Sequence, residues 1–232
     1  MRSAASSARR VTPKDADTYA TTRRRLRATR PSAKSSRLRS YGGVQREASV
    51  SMASVDHVIV TDRLELVPLT PSLLRAVAGG DLVQVERQLN APVGAGWQDG
   101  VPAEYRLAQL AADPTEQPWL VRAVLLRTPR QVVGSIGFHA PPDDQGRVAV
   151  GYDIVAGTRR KGYAREALQA LLDWAWATGR ARTCVASVSP DNAPSLALLG
   201  VFGFQRVGEQ IDEVDGLEWV FERPLPVGSL RR

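Results

Sequence analysis

Arg159-Arg160-Lys161-Gly162-Tyr163-Ala164 is the stretch whose residue types and spacing could do chemistry. It falls between a β-like run, Val148 to Val155, and a helical run from Tyr163 to about Thr178. In the helical run Ala164, Ala167, Leu168, Leu171, Leu172 and Ala175 share one apolar face. The basic turn therefore opens a helix, where the first N–H groups lack intrahelical partners and the peptide dipoles favour negative charge. Gly162 has no Cβ, so an anion can come close to the main chain, and Arg159, Arg160 and Lys161 add positive charge. These are the features of a diphosphate cradle. A solvated basic turn before a helix has the same local composition, so the short pattern needs company.

That company follows at fixed distance: Val185-Ala186-Ser187-Val188-Ser189-Pro190-Asp191-Asn192-Ala193-Pro194-Ser195, then Gly203-Phe204. The order of strand, glycine cradle, helix, strand, Asn-x-x-Ser helix and Gly-Phe strand resembles the GNAT N-acetyltransferase superfamily. Thr61-Asp62-Arg63-Leu64-Glu65-Leu66 resembles the opening strand of its ribosomal-protein-alanine acetyltransferase branch. The resemblance runs from about residue 58 to 224. It implies an α/β (α+β) GNAT fold, a mixed, mostly antiparallel sheet of about six to seven strands with helices on both faces. The activity implied is acetyl transfer from acetyl-CoA, as co-substrate, to a primary amine by direct attack in a ternary complex. The acceptor would be a protein N-terminal α-amine, a ribosomal protein among the candidates, or a small-molecule amine.

By the same resemblance, main-chain N–H groups from Arg160 through Lys161, Gly162 and Tyr163 to Ala164 would hold the coenzyme A diphosphate, with Arg159 beside them. The pantetheine arm would lie along residues 152–155, using main-chain groups such as those of Ile154 and Val155, and Asn192 would contact its amide. Ser195 would stabilise or protonate the leaving sulfur. Asp191 or Asn192 can equally cap the helix that Ser195 opens. Leu199 stands where many relatives carry an acidic tyrosine, which removes that proton donor. Ala149 and Ser187 stand where relatives carry a glutamate base. Asp153 is the nearest remaining acid, although strand alternation sets it opposite Tyr152 and Ile154; a water chain or Glu218 are alternatives. An α-amine, with a pKa near ~8, needs less help than a lysine-like amine, so the missing glutamates favour it. They also favour a different class, an acyl-CoA-binding module without catalysis whose basic tail touches RNA or ribosomes.

The rest of the sequence must position these residues. The chain has 232 residues, 43% of them hydrophobic, enough for a core but with no run resembling a membrane span. The net charge of +7 is unevenly spread: residues 1–51 hold 13 of the 31 Lys and Arg and only 3 of the 24 Asp and Glu. The remainder is mildly acidic. Residues 1–54 therefore read as a disordered basic extension, 55–226 as the acetyltransferase domain and 227–232 as a tail. The extension overlaps in composition with transit peptides and RNA-contacting tails, and Met52 just before the domain is an alternative start. One cysteine, Cys184, fits a reducing, cytoplasmic compartment, and His57 and His139 lack metal-ligand spacing. Three early helices are expected at about 71–78, 82–89 and 103–112, forming one wall of the acceptor cleft. Strands are expected at 119–127 and 131–139, and a last hairpin turning at Asp215-Gly216. Trp97 is expected to line the cleft or cover the core edge, and the acids Asp212, Glu213, Asp215 and Glu218 to attract a cation or form a solvated tip.

Overall fold

A computed structural model describes residues 58–213 and 216–226. The basic extension, His57, Asp215 and the tail lie outside the described residues. The described chain opens with β1 (Ile59–Val60) and β2 (Leu64–Pro68). Thr70 then starts α1 (Pro71–Ala78): its hydroxyl accepts the Leu73 N–H, and Pro71 occupies the first turn, where a missing N–H costs little. Asp81 caps α2 (Leu82–Leu89) through the Gln84 N–H. A 3-10 turn at Trp97–Gly100 leads into α3 (Ala103–Ala112). The strand expected from Trp119 begins only at Arg122. Asp113 accepts the Thr115 N–H and, with Pro114 and Pro118, winds Pro114–Trp119 into a second 3-10 turn instead.

Next come β3 (Arg122–Arg127), β4 (Arg130–Phe138) and β5 (Arg147–Ile154), then α4 (Tyr163–Ala177) and β6 (Thr183–Val188). The chain ends with α5 (Ala193–Val201), β7 (Gln205–Asp212) and β8 (Gly216–Pro224). The strands form one eight-stranded sheet in the order β1-β2-β3-β4-β5-β6-β8-β7. The additional strand is β1, whose two residues are too few to leave a periodic signal. All neighbours are antiparallel except β5 and β6, which run parallel as expected.

Helices cover both faces. On β3, Val124 and Leu126 join Leu168, Leu171 and Leu172 of α4, while Ala123 and Leu125 join Leu74, Val85 and Leu110 of α1, α2 and α3. Leu168, Leu171 and Leu172 are fully buried, and each such side chain contributes about 1.5–3 kcal/mol by leaving water. That packing holds α4 rigidly on the sheet, so its first turn has a fixed position relative to β5.

Candidate active site

The turn before α4 is shaped by two left-handed residues, Arg160 (φ 63°) and Gly162 (φ 83°), on either side of Lys161. Gly162 is the residue that precedes the helix, and no side chain caps it. Arg160, Lys161 and Gly162 are exposed. Among the described residues, the N–H groups of Lys161, Gly162 and Tyr163 donate to no protein acceptor. Outward-facing amides at a helix start form an anion-binding concavity.

Side chains from the start of β2 brace this turn. Arg63 donates from Nη1 to the Lys161 carbonyl (3.0 Å) and from Nε to Glu166 Oε2 (2.6 Å), and its guanidinium lies 5.0 Å from the Tyr163 ring centroid. Glu166 also accepts from Thr61 Oγ1 (2.5 Å) and from the Arg63 backbone N–H (2.9 Å). Partial burial would raise the Glu166 pKa, but the hydrogen bonds from Thr61 and Arg63 and the guanidinium charge outweigh it and hold the carboxyl below its ordinary value. In sequence Thr61-Asp62-Arg63 reads only as a strand opening, and Glu166, three residues after the start of α4, is the one signal of its partner. Arg159 departs from the rest of its group. Its Nε donates to the Ile154 carbonyl (2.6 Å) and its Nη2 to Asp153 Oδ1 (3.2 Å), so its charge turns back toward β5.

β5 and β6 pair from Arg147↔Thr183 to Ala149↔Val185, whereas β5 stays paired with β4 to the level of Ile154↔Gly134. The strands thus part beyond Ala149. The Ala149 carbonyl accepts from His139 and the Val155 N–H donates to Val133, both toward β4. Alternation then turns the main-chain groups of Tyr152 and Ile154 toward the gap. Of the two residues assigned to the pantetheine arm, Val155 has its N–H on Val133 and its carbonyl on Thr158, and Ile154 has its carbonyl on Arg159. The Ile154 N–H and both main-chain groups of Tyr152 face the opening.

A cleft of about 520 Å³ occupies that gap, with Tyr152, Ser189, Asn192, Ser195, Asp212 and Glu218 in its wall. Asn192 caps α5 by accepting the Ser195 N–H (3.2 Å), which orients that turn. The Tyr152 hydroxyl is buried without a well-formed hydrogen bond. Burial raises its pKa and the nearby Ser195 hydroxyl pulls it partly back, so the phenol stays protonated at neutral pH. Tyr152 is the functional candidate that sequence reasoning passed over. Glu218 accepts from Gln210 Nε2 (2.9 Å), which also contacts Ser187 Oγ (3.2 Å), so the last hairpin reaches over the cleft.

Asp153 points to the opposite face of β5. There it lines a smaller pocket of about 150 Å³ with Gly100, Pro102, Arg106 and Ser135. Ser195 and Asp153 are therefore not brought together. Trp97 is core: it is 1% exposed and its Nε1 donates to the Gly134 carbonyl (2.8 Å). Trp174 packs on Trp119 while Trp176, two residues on and so on another face of the helix, is exposed. Cys184 is fully buried, and burial pushes its thiol pKa far above the ordinary range, which makes it inert. No group of metal-ligating side chains occurs among the described residues.

This arrangement has counterparts. Residues 63–205 match the model of the acetyltransferase (GNAT) domain. An uncharacterized N-acetyltransferase, p20 of Bacillus licheniformis, is 33% identical over 86 residues, 37% of this chain and 48% of that protein. The chain thus spans about half the length of that relative. In fold it is similar to a Salmonella typhimurium acetyltransferase that modifies the N-terminal serine of ribosomal protein L7/L12 (TM-score 0.52, 18% identity, 73% of this chain and all of the other). It is also similar to the microcin C7 self-immunity acetyltransferase MccE, solved with acetyl-CoA and AMP (TM-score 0.50, 15% identity, 71% of this chain and 94% of the other). With the family model covering more than half of its length, the chain belongs to the GNAT acetyltransferase family.

Proposed function

We propose that this protein is an N-acetyltransferase that moves the acetyl group of acetyl-CoA to a primary amine of low pKa in a ternary complex. A protein N-terminal α-amine, including that of a ribosomal protein, is the acceptor we favour over a small amine. The observation that carries the reading is the parting of β5 and β6 beyond Ala149, beside a helix start with outward amides. The residues fit the coenzyme: Arg160 to Ala164 would hold its diphosphate, and the Tyr152 and Ile154 main-chain groups and Asn192 its pantetheine amides. When bound, acetyl-CoA supplies an activated acyl thioester.

The chain's own groups then divide the work. The Ile154 N–H, aimed into the gap, stabilises negative charge developing on the carbonyl oxygen. Ser195 delivers a proton to the departing sulfur, with the Tyr152 phenol behind it as a second donor. Asp153, held by Arg159, keeps a carboxylate along the amine's approach on the other face. Asp212 and Glu218 in the cleft wall favour an acceptor with a positive charge apart from the reacting amine. No helix of the described residues is long and apolar enough to cross a membrane, and we place the activity in the cytoplasm, where the lone thiol fits. Incubation with acetyl-CoA and a panel of α-amino peptides, polyamines and amino sugars should release coenzyme A, fastest with the peptides. Tight coenzyme binding without release from any amine would instead support a non-catalytic module.

A further inference from the structure

Ala149 and Ser187, the positions at which the resemblance implies a glutamate base, carry no carboxylate, so the proton acceptor has to be sought among other side chains. His139 lies at the end of β4, directly across from Ala149: its N–H donates to the Ala149 carbonyl (2.8 Å), continuing the Phe138↔Val150 pairing. Its main chain is fixed from a third element, since its carbonyl accepts from Arg106 Nη1 (2.8 Å) and Gln109 Nε2 (2.9 Å) of α3. The ring fills space that Gly151 leaves open; a Cβ on Gly151 would come within 2.8 Å of His139 Nε2. Among the described residues, His139, Gly151 and Tyr152 alone line both the large cleft and the smaller pocket on the opposite face. They therefore form the junction between the coenzyme side and the side where Asp153 and the early helices stand. Of these three, His139 alone has a side-chain nitrogen with a lone pair that can accept a proton.

From this placement we infer that His139 is the proton acceptor of the transfer, standing in for the carboxylate that Ala149 lacks. The inference rests on the transferase reading above. As the amine nitrogen bonds to the thioester carbon, one N–H proton passes to the neutral imidazole. The C–S bond then breaks, and the sulfur takes a proton from the Ser195 hydroxyl, which regains one from solvent in the cleft. The imidazolium returns its proton to solvent through the open pocket.

The charged groups that share its two cavities are Arg106 from α3, Asp153 from β5, and Asp212 and Glu218 from the last hairpin. Burial, followed by the Arg106 charge, lowers the His139 pKa to about 4, so the ring is neutral throughout the physiological range. Such a weak base cannot strip a free ammonium. It can take the proton of a nitrogen already bonded to an acyl carbon, because that nitrogen has become a much stronger acid. The acceptor must then arrive as the free amine, in keeping with an α-amine of pKa near ~8.

Steady-state kinetics of the full chain with an α-amino peptide, across pH, test this. His139→Gln should lower kcat by about 100-fold with the acetyl-CoA dissociation constant unchanged by calorimetry. Its kcat should also climb with pH where that of the native protein is level. Because His139→Gln could disturb the sheet, a second variant is decisive: adding Ala149→Glu to His139→Ala should recover about tenfold of the lost kcat, by returning a proton acceptor across the same strand pair. Native turnover with undiminished kcat and an unchanged pH profile in His139→Gln would overturn the inference alone. A low kcat that Ala149→Glu does not raise would also overturn it. Acetyl-CoA binding without any native turnover would overturn the transferase reading, and this with it.

Discussion

The turn at Gly162 and the pocket around His139 lie on opposite sides of β5 and are built by different means. At Gly162 the proposed binding groups are main-chain amides, in a turn braced by a compact set of side chains, Thr61, Arg63 and Glu166. Around His139 the candidate groups are side chains from β4, β5 and α3, next to the backbone of Gly100 at the end of the 3-10 turn. The first needs a particular backbone path over a few consecutive residues. The second needs elements distant in sequence to arrive at one place. A fold of this kind can therefore keep a main-chain turn unchanged while the side chains of the other region vary residue by residue.

The contrast can be broken most forcefully at the cradle. Gly162→Asp puts a carboxylate among the outward amides and a side chain at φ 83°, and should weaken acetyl-CoA binding by about 1,000-fold in calorimetry. Affinity within a factor of three of native would mean the coenzyme is held elsewhere. Ser195→Ala lies at the meeting of the two regions. It should lower kcat by about 100-fold while leaving the acetyl-CoA KM nearly constant; an equal rise in KM would make Ser195 a binding group instead.

Glu166→Gln sharpens the same contrast with a smaller effect, about tenfold in acetyl-CoA KM and little in kcat, because it loosens the brace without touching the amides. Its pH signature has a definite sign. The folded-state pKa is depressed, so the brace's stabilisation is complete above the ordinary carboxyl value and is lost as pH falls through the folded-state pKa. Acid titration of thermal stability should show this loss in the native protein and a shallower one in Glu166→Gln; identical slopes would dismiss the brace. The smallest effect is expected from Glu218→Gln, about threefold in KM for a cationic acceptor and fading with salt. A neutral acceptor affected equally would remove any attraction by the hairpin.

How much could be read in advance follows the same division. The glycine turn before α4, α4 itself and the parallel pair β5 and β6 rest on short-range patterns, and the structure has them where those patterns put them. The turn of Arg159 toward Ile154 and Asp153 was not readable, because a long side chain chooses among acceptors that folding supplies. Nor was the brace legible as a brace: Thr61 and Glu166 are 105 residues apart. Tyr152 drew no notice because its hydroxyl becomes special only through burial beside Ser195. His139 looked isolated because its neighbours, Ala149, Gly151 and Arg106, come from other elements.

Sequence alone determined the order of elements, the glycine turn that opens α4 and the absence of the usual glutamates, since each depends on residue type and near-neighbour spacing. Tertiary structure decided where β5 leaves β6, which amides face the gap and which side chains reach both cavities. Those depend on strand register and on packing between segments far apart in the chain, and no local pattern encodes where such segments meet.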